Sequence, residues 1–273
     1  MPALDVYNAT DNLDETVLDV VVTRLEARGR HPVFAQMLTD YLDAMDIDTA
    51  DRVLDIGCGS GIAARAIARR DGFSGEVLGI DLSAYLIGVA QDLASDEGLS
   101  DRIAFKAGDM HSLDIADESF DAVVAHTLFS HVDDPAAVLN EARRVVKPGG
   151  MIGIFDGDYA SLTFEQDDPE KGQKDDQKLI SAIVTNPRIM RQLPRLAKRA
   201  GLEVVASFPY VMAEMGRADY WVAGLESFRT LLARSGAMTE AEANAFVDAQ
   251  LAASDQGTFF GASNYFGYVL KRP

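Results

Sequence analysis

The stretch that most constrains this chain is Val53-Leu54-Asp55-Ile56-Gly57-Cys58-Gly59-Ser60-Gly61, followed at once by a helix-like segment from Ile62 to Arg70. An apolar run, an acid and three glycines at alternate positions predict a buried parallel strand. It ends in a tight turn without bulky side chains and opens a helix. Glycine lets a bulky, partly charged ligand lie against bare backbone, near the positive end of the helix dipole. Alone, the stretch predicts only a site for something nucleotide-like. Cys58, the single cysteine, sits inside the turn and reads as a packing choice. One cysteine forms no internal disulfide, which fits a cytoplasmic protein.

From Asp51 onward, strand-like and helix-like segments alternate as in a doubly wound α/β sheet. Strands are expected at Arg52–Ile56, Glu76–Asp81, Ile103–Ala107, Phe120–Ala125 and Gly150–Phe155, with a sixth at Leu202–Tyr210 and a seventh at Thr258–Leu270. Helices are expected at Gly61–Arg70, Ala84–Glu97 and Pro135–Val146, and again over Leu179–Ala200 with interruptions at Pro187 and Pro194. Pro148-Gly149-Gly150 turns the chain into the fifth strand, and Asp156 to Asp176 reads as an acidic loop. Residues 1–50 are expected to form an N-terminal helical cap of two helices, broken near Gly29 to Pro32. Residues 51–273 then form the main domain, with a helical insertion at about 212–257 before the last strand.

Charge narrows the partners. The 273 residues hold 43 acids against 25 lysines and arginines, a net −18, and no basic run exceeds two residues. Gripping phosphate backbones requires cationic surface, so nucleic acid and anionic membrane surfaces are excluded as partners. No run of about 18 apolar residues is present, so no membrane span is expected. Met1 to Asp19 carry acids but no Lys or Arg, which argues against a secretory or mitochondrial leader.

Further candidates fall at the ends of expected parallel strands, where ligands bind in open α/β sheets. Asp81, followed by Leu82, closes the second strand; a carboxylate there can accept both hydrogen bonds of a ribose diol, or simply cap the next helix. Gly108-Asp109-Met110 follows the third strand, where Asp109 could accept from an exocyclic amine while Met110 packs on the ring. The fourth strand runs into His126 and His131, the first able to border a bound cofactor and the second to approach a reacting centre.

In this arrangement the chain resembles the class I S-adenosylmethionine-dependent methyltransferases. More narrowly it resembles their small-molecule, type 11 branch, which includes quinone-biosynthesis enzymes. Asp55, Gly57, Gly59 and Gly61 match the glycine motif, Asp81 the ribose acid and Asp109 the adenine-contacting acid. Phe120-Asp121-Ala122-Val123-Val124 matches the fourth strand, and Val146-Lys147-Pro148-Gly149-Gly150 the approach to the fifth. The resemblance spans about Asp51 to Asp156 and implies a seven-stranded, mostly parallel Rossmann-like sheet with S-adenosyl-L-methionine as cofactor. Asp55, Gly57, Cys58, Gly59, Gly61, Asp81, Leu82, Gly108, Asp109, Met110 and His126 are the residues expected around that cofactor. A nicotinamide dehydrogenase fits less well, because Ile62 stands where Gly-x-Gly-x-x-Gly wants its third glycine.

The implied activity is methyl transfer to oxygen, nitrogen or carbon of a small organic acceptor; the alternative is a cofactor-binding regulator without transfer activity. In-line displacement asks mainly for alignment and exclusion of water, and a base is optional. His131 is the catalytic candidate. Asp156, Asp158 and Tyr159 could line the acceptor pocket, although Asp156-Gly157-Asp158 also reads as a solvated turn. No residues stand at metal-ligand spacing, so no metal is expected. Tyr7 and Phe34 of the N-terminal helices can fold over the cofactor. In the insertion, Trp221, Leu225, Phe228 and Leu232 form one helical stripe, which with Tyr220 could roof the acceptor, pack inward or form a homodimer interface.

Overall fold

The computed structural model describes residues 5 and 7–273. Two helices come first, α1 (Glu15–Arg30) and α2 (Pro32–Ala44). Then come β1 (Arg52–Ile56), α3 (Ile62–Ala68), β2 (Glu76–Asp81), α4 (Ala84–Asp96), β3 (Ile103–Ala107), β4 (Phe120–His126) and α5 (Pro135–Val145). The second half continues with β5 (Val146–Phe164), α6 (Pro169–Ile183), α7 (Ile189–Arg199), β6 (Glu203–Gly216), α8 (Tyr220–Arg234), α9 (Glu240–Gln256) and β7 (Phe259–Lys271). The strands form one seven-stranded sheet in the order β3-β2-β1-β4-β5-β7-β6, and β7 runs antiparallel to both of its neighbours.

The apolar strands are buried on both faces. Val53 joins a core with Tyr41, Ile67, Val77, Val124 and Phe155, whereas Leu54 and Ile56 join a second core with Val123, Leu139, Ile152 and Leu193. Alternate residues of β1 therefore serve opposite layers, as the two-residue period of a strand requires. Burying each large side chain contributes roughly 1.5–3 kcal/mol. The break between α1 and α2 falls at His31-Pro32, where proline starts α2 at its first position and removes an N–H that would have no helical partner.

The structure corrects the sequence reading in three places. Asp156 to Asp176 is not a loop: β5 continues through Asp156 and Asp158 to Phe164, and α6 follows from Pro169. Both carboxylates are buried and engaged. Asp156 accepts from the Ser130 N–H at 2.8 Å and the Ser130 hydroxyl at 3.0 Å. Asp158 takes a two-pronged pair from Arg191 at 2.8 and 2.6 Å. Second, Pro187 does interrupt the stretch after α6, but Pro194 lies within α7. Third, Trp221, Leu225, Phe228 and Leu232 are all buried within the chain. That stripe packs inward, with Trp221 and Phe228 set edge-on against Phe164, and is unavailable as a dimer face.

Candidate functional site

Strand order reverses between β1 and β4, which lie side by side while their crossovers leave in opposite directions. Such a reversal opens a crevice at the carboxyl ends of the strands. A cavity of about 400 Å³ fills it, with Asp55, Gly57, Cys58, Gly59, Asp81, Leu82, Asp109, Met110, His126 and His131 among its walls. Two expected residues stand apart from it. Gly61 instead caps α3 with φ +81°, where a Cβ would meet the Phe105 ring at 2.8 Å. Gly108 lies behind the cavity wall, against Ile80.

The glycine turn closes through its neighbours. Gly57 (φ +66°) has the Leu128 side chain where a Cβ would be, at 2.5 Å, so a larger residue would be strained at this φ and would have to displace Leu128. Asp81 accepts from the Gly59 N–H at 2.9 Å and the Ser83 N–H at 3.0 Å, one bond on each oxygen. It thereby ties the turn to β2, while Ser83 caps α4. An ionised carboxylate offers about four acceptor positions, so each Asp81 oxygen keeps capacity for a ligand hydroxyl. Burial pushes the Asp81 carboxyl up.

Asp55 is more isolated. One oxygen accepts from the Ala64 N–H at 3.1 Å, while Oδ1 is buried without a hydrogen-bond partner. Burial raises its carboxyl to about 7, and the nearby Asp81 charge adds to the effect. Asp109 differs because the His111 N–H and ring hold it at 2.8 Å each, keeping its carboxyl below the usual range. Burial pushes the Cys58 thiol well up, so it is inert packing.

The histidines separate into two roles. His126 stacks on Phe155 and pairs with the Tyr41 hydroxyl at 3.1 Å; burial and the nearby Arg28 hold it neutral, lowered to about 3. His131 is buried beside Tyr7, with its Nδ1 3.0 Å from Asp5 Oδ2. Asp5 is itself fixed by the Thr185 N–H at 2.8 Å and hydroxyl at 3.0 Å. A carboxylate on Nδ1 favours the tautomer that leaves Nε2 as acceptor. Asp5, 126 positions away in sequence, carried no signal that could have paired it with His131.

Sequence reasoning also missed Thr127, Arg24 and Arg28. Thr127, the residue after β4, has φ +57°, an outlier for a β-branched side chain that marks a constrained site. Its hydroxyl accepts from Arg28 at 2.7 Å. Arg24 and Arg28 are four apart on α1, a spacing that puts both on one face. That spacing was the available signal. A second, small cavity of about 20 Å³ lies between Arg24, Arg28, His131 and Tyr159, and shares Tyr7, Leu25, Arg28, Thr127 and His131 with the large one.

Of the other acceptor candidates, Tyr7 and Tyr159 line these two cavities, while Asp156, Asp158, Phe34 and the residues of the 212–257 insertion line neither. α8 packs behind α1 instead. His31, Glu214 and Asp219 gather ligand-type atoms within 4.8 Å of one another. Glu214, however, is occupied as a cap, accepting the N–H groups of Asp219, Tyr220 and Trp221.

Residues 54–154 match the family model described as "Methyltransferase domain". The chain is 34% identical over 232 residues to an uncharacterized 37.1 kDa protein in a Streptomyces fradiae transposon, covering 84% of this chain and 65% of that protein. It is 34% identical over 172 residues to a sterol 24-C-methyltransferase of Gibberella zeae, covering 62% of this chain and 44% of that enzyme. The chain thus spans less than two thirds of the length of either relative. Among solved structures, an S-adenosylmethionine-dependent methyltransferase from Geobacter sulfurreducens in complex with S-adenosyl-L-homocysteine has the same fold. It matches with a TM-score of 0.57 at 19% identity, over 100% of both chains.

Proposed function

From a chain that belongs to the class I S-adenosylmethionine-dependent methyltransferases, in their type 11 group, we propose an enzyme that methylates a small organic acceptor with His131 as general base. The observation that carries this reading is the cavity at the β1/β4 reversal, where the glycine turn, Asp55 and Asp81 meet the Asp5–His131 pair. S-adenosylmethionine, the cofactor of this family, supplies an electrophilic methyl group on a sulfonium whose departing thioether is neutral.

The residues present fit that cofactor. Asp55 Oδ1 is a buried acceptor awaiting a donor, such as an ammonium group. Gly57 and Gly59 adopt positive φ and leave bare backbone at the wall. Asp55 and the turn would hold the methionine portion, Asp81 the ribose, and Asp109 with Met110 the adenine. Leu82 and His126 border the same cavity, where His126, held neutral, packs without taking protons.

His131 has the geometry of a base. Asp5 holds Nδ1, which directs the Nε2 lone pair to the acceptor's proton and stabilises the imidazolium that forms. Tyr7 lies over the ring at 4.8 Å and helps exclude water. Positioned bases contribute about 10²–10⁴-fold.

Incubation with labelled S-adenosylmethionine and a panel of phenols, carboxylic acids, amines and quinones tests the reading. Label transferred to at least one acceptor is expected, and His131→Asn should slow transfer by about 10²-fold while leaving cofactor affinity nearly unchanged. Failure of calorimetry to detect cofactor binding would sink the proposal. Transfer unaffected by His131→Asn would remove the base.

A further inference from the structure

Arginines in this protein usually have an acid beside them, as expected with 43 acids to draw on. Arg65, Arg70, Arg144, Arg191, Arg229 and Arg272 all sit in ion pairs. Among the described residues Arg24 and Arg28 do not, although they lie against the cavities and Arg28 is buried. Among the described residues, Arg24 donates only to the Ser227 hydroxyl at 3.3 Å and lies over the Phe228 ring at 5.0 Å. Among the same residues Arg28 donates only to the Thr127 hydroxyl. Each guanidinium carries five N–H groups, so most of this donor capacity is unused by the protein.

A buried charge such as that of Arg28 is costly without a counter-ion, and half-buried Arg24 one helical turn away repels it as well. What surrounds them is aromatic: Tyr7 and Tyr159 share the small cavity with both arginines. The buried carboxylates of α1 and of the site are committed elsewhere, Glu26 to Ser60 and Arg65, Asp5 to His131 and Thr185, and Asp156 to Ser130. The cofactor's single carboxylate can answer at most one of the two guanidiniums, that of Arg28, which lines the large cavity, and leaves Arg24, which does not. S-adenosylmethionine has one carboxylate against an ammonium and a sulfonium, so it brings a net positive charge into the same space.

Resting on the methyl-transfer reading above, we infer that the acceptor carries an oxyanion, a carboxylate or a phosphate, recognised by Arg24 and Arg28 from the roof of the site. The planar guanidinium fork matches either group in two-pronged fashion. The Tyr7 hydroxyl, buried and without a partner, is a further donor beside them. On this arrangement the anion is held on the α1 side, and the nucleophilic atom is presented to His131, which borders both cavities.

The test uses the full-length protein saturated with S-adenosylhomocysteine, titrated by calorimetry with benzoate, phenyl phosphate and the neutral isostere benzamide. Benzoate or phenyl phosphate should bind at least about tenfold more tightly than benzamide, and the tighter of the two assigns the anion as carboxylate or phosphate. Arg24→Gln should abolish that preference while leaving S-adenosylhomocysteine affinity unchanged, since Arg24 does not line the large cavity. Equal binding of all three probes overturns the inference, as does a preference that survives Arg24→Gln. If Arg24→Gln does not fold, Arg24→Met, which keeps the packing on Phe228, takes its place. Absence of S-adenosylhomocysteine binding to the unaltered protein overturns the methyl-transfer reading instead.

Discussion

Asp55 shows how one residue can serve the site at the expense of the fold. Its carboxyl is raised to about 7, chiefly by burial, from an ordinary value of 3.8. A group raised in this way binds its proton more tightly when folded. Its contribution to stability is therefore complete below about pH 4 and is lost as pH climbs to about 7. Asn at this position keeps an oxygen for the Ala64 N–H and removes the titration. Asp55→Asn should raise the Tm of the cofactor-free protein by about 2–6 °C at pH 8 and give no gain near pH 4, measured by scanning calorimetry. Cofactor affinity should fall in the same variant. Asp55 and the glycines beside it were legible in the sequence because strand, turn and helix are local and leave local signals. Asp5 and Thr127 were not, since their roles exist only once distant segments meet.

Among the elements, α1 does the most. Glu26 on this helix accepts from the Ser60 hydroxyl at 2.7 Å and from Arg65 at 2.5 Å, while Leu25 lies 3.2 Å from where a Gly59 Cβ would stand. The helix is thus bonded to the glycine turn beneath it. Glu26→Ala leaves Arg65 with Glu97 as its remaining carboxylate, also at 2.5 Å. The cost should be about 1–3 kcal/mol, below the full loss of a buried pair. Urea denaturation should show that loss together with a weaker cofactor affinity, and Glu26→Gln should recover part of both. Sequence periodicity found α1 and α2 with little error. It misread β5 past Phe155 because acidic residues ordinarily mark loops, whereas Asp156 is hydrogen-bonded by Ser130 and Asp158 ion-paired with Arg191, both from elsewhere in the chain.

At the scale of the whole molecule, charge outweighs any single contact. A net −18 on 273 residues places the surface under mutual repulsion, which added salt screens over about 10 Å at 0.1 M. The Tm should therefore rise by about 2–5 °C between roughly 10 and 300 mM sodium chloride, a trend that thermal melts will show directly. An unchanged or falling Tm would mean that ion pairs outweigh the net repulsion. The same field disfavours anionic ligands everywhere except where arginines stand without acids, which makes the α1 face selective by contrast.

The bond between Glu26 and Ser60 has one more consequence, which concerns timing. A helix moves as a unit, so any opening large enough to lift Glu26 off the glycine turn also carries Arg24 and Arg28 away from Thr127 and His131. An opening of that kind would part the same helix that, on the inference above, meets the second reactant. Recognition would then be confined to the closed molecule, and a small acid arriving before closure would meet neither guanidinium in place.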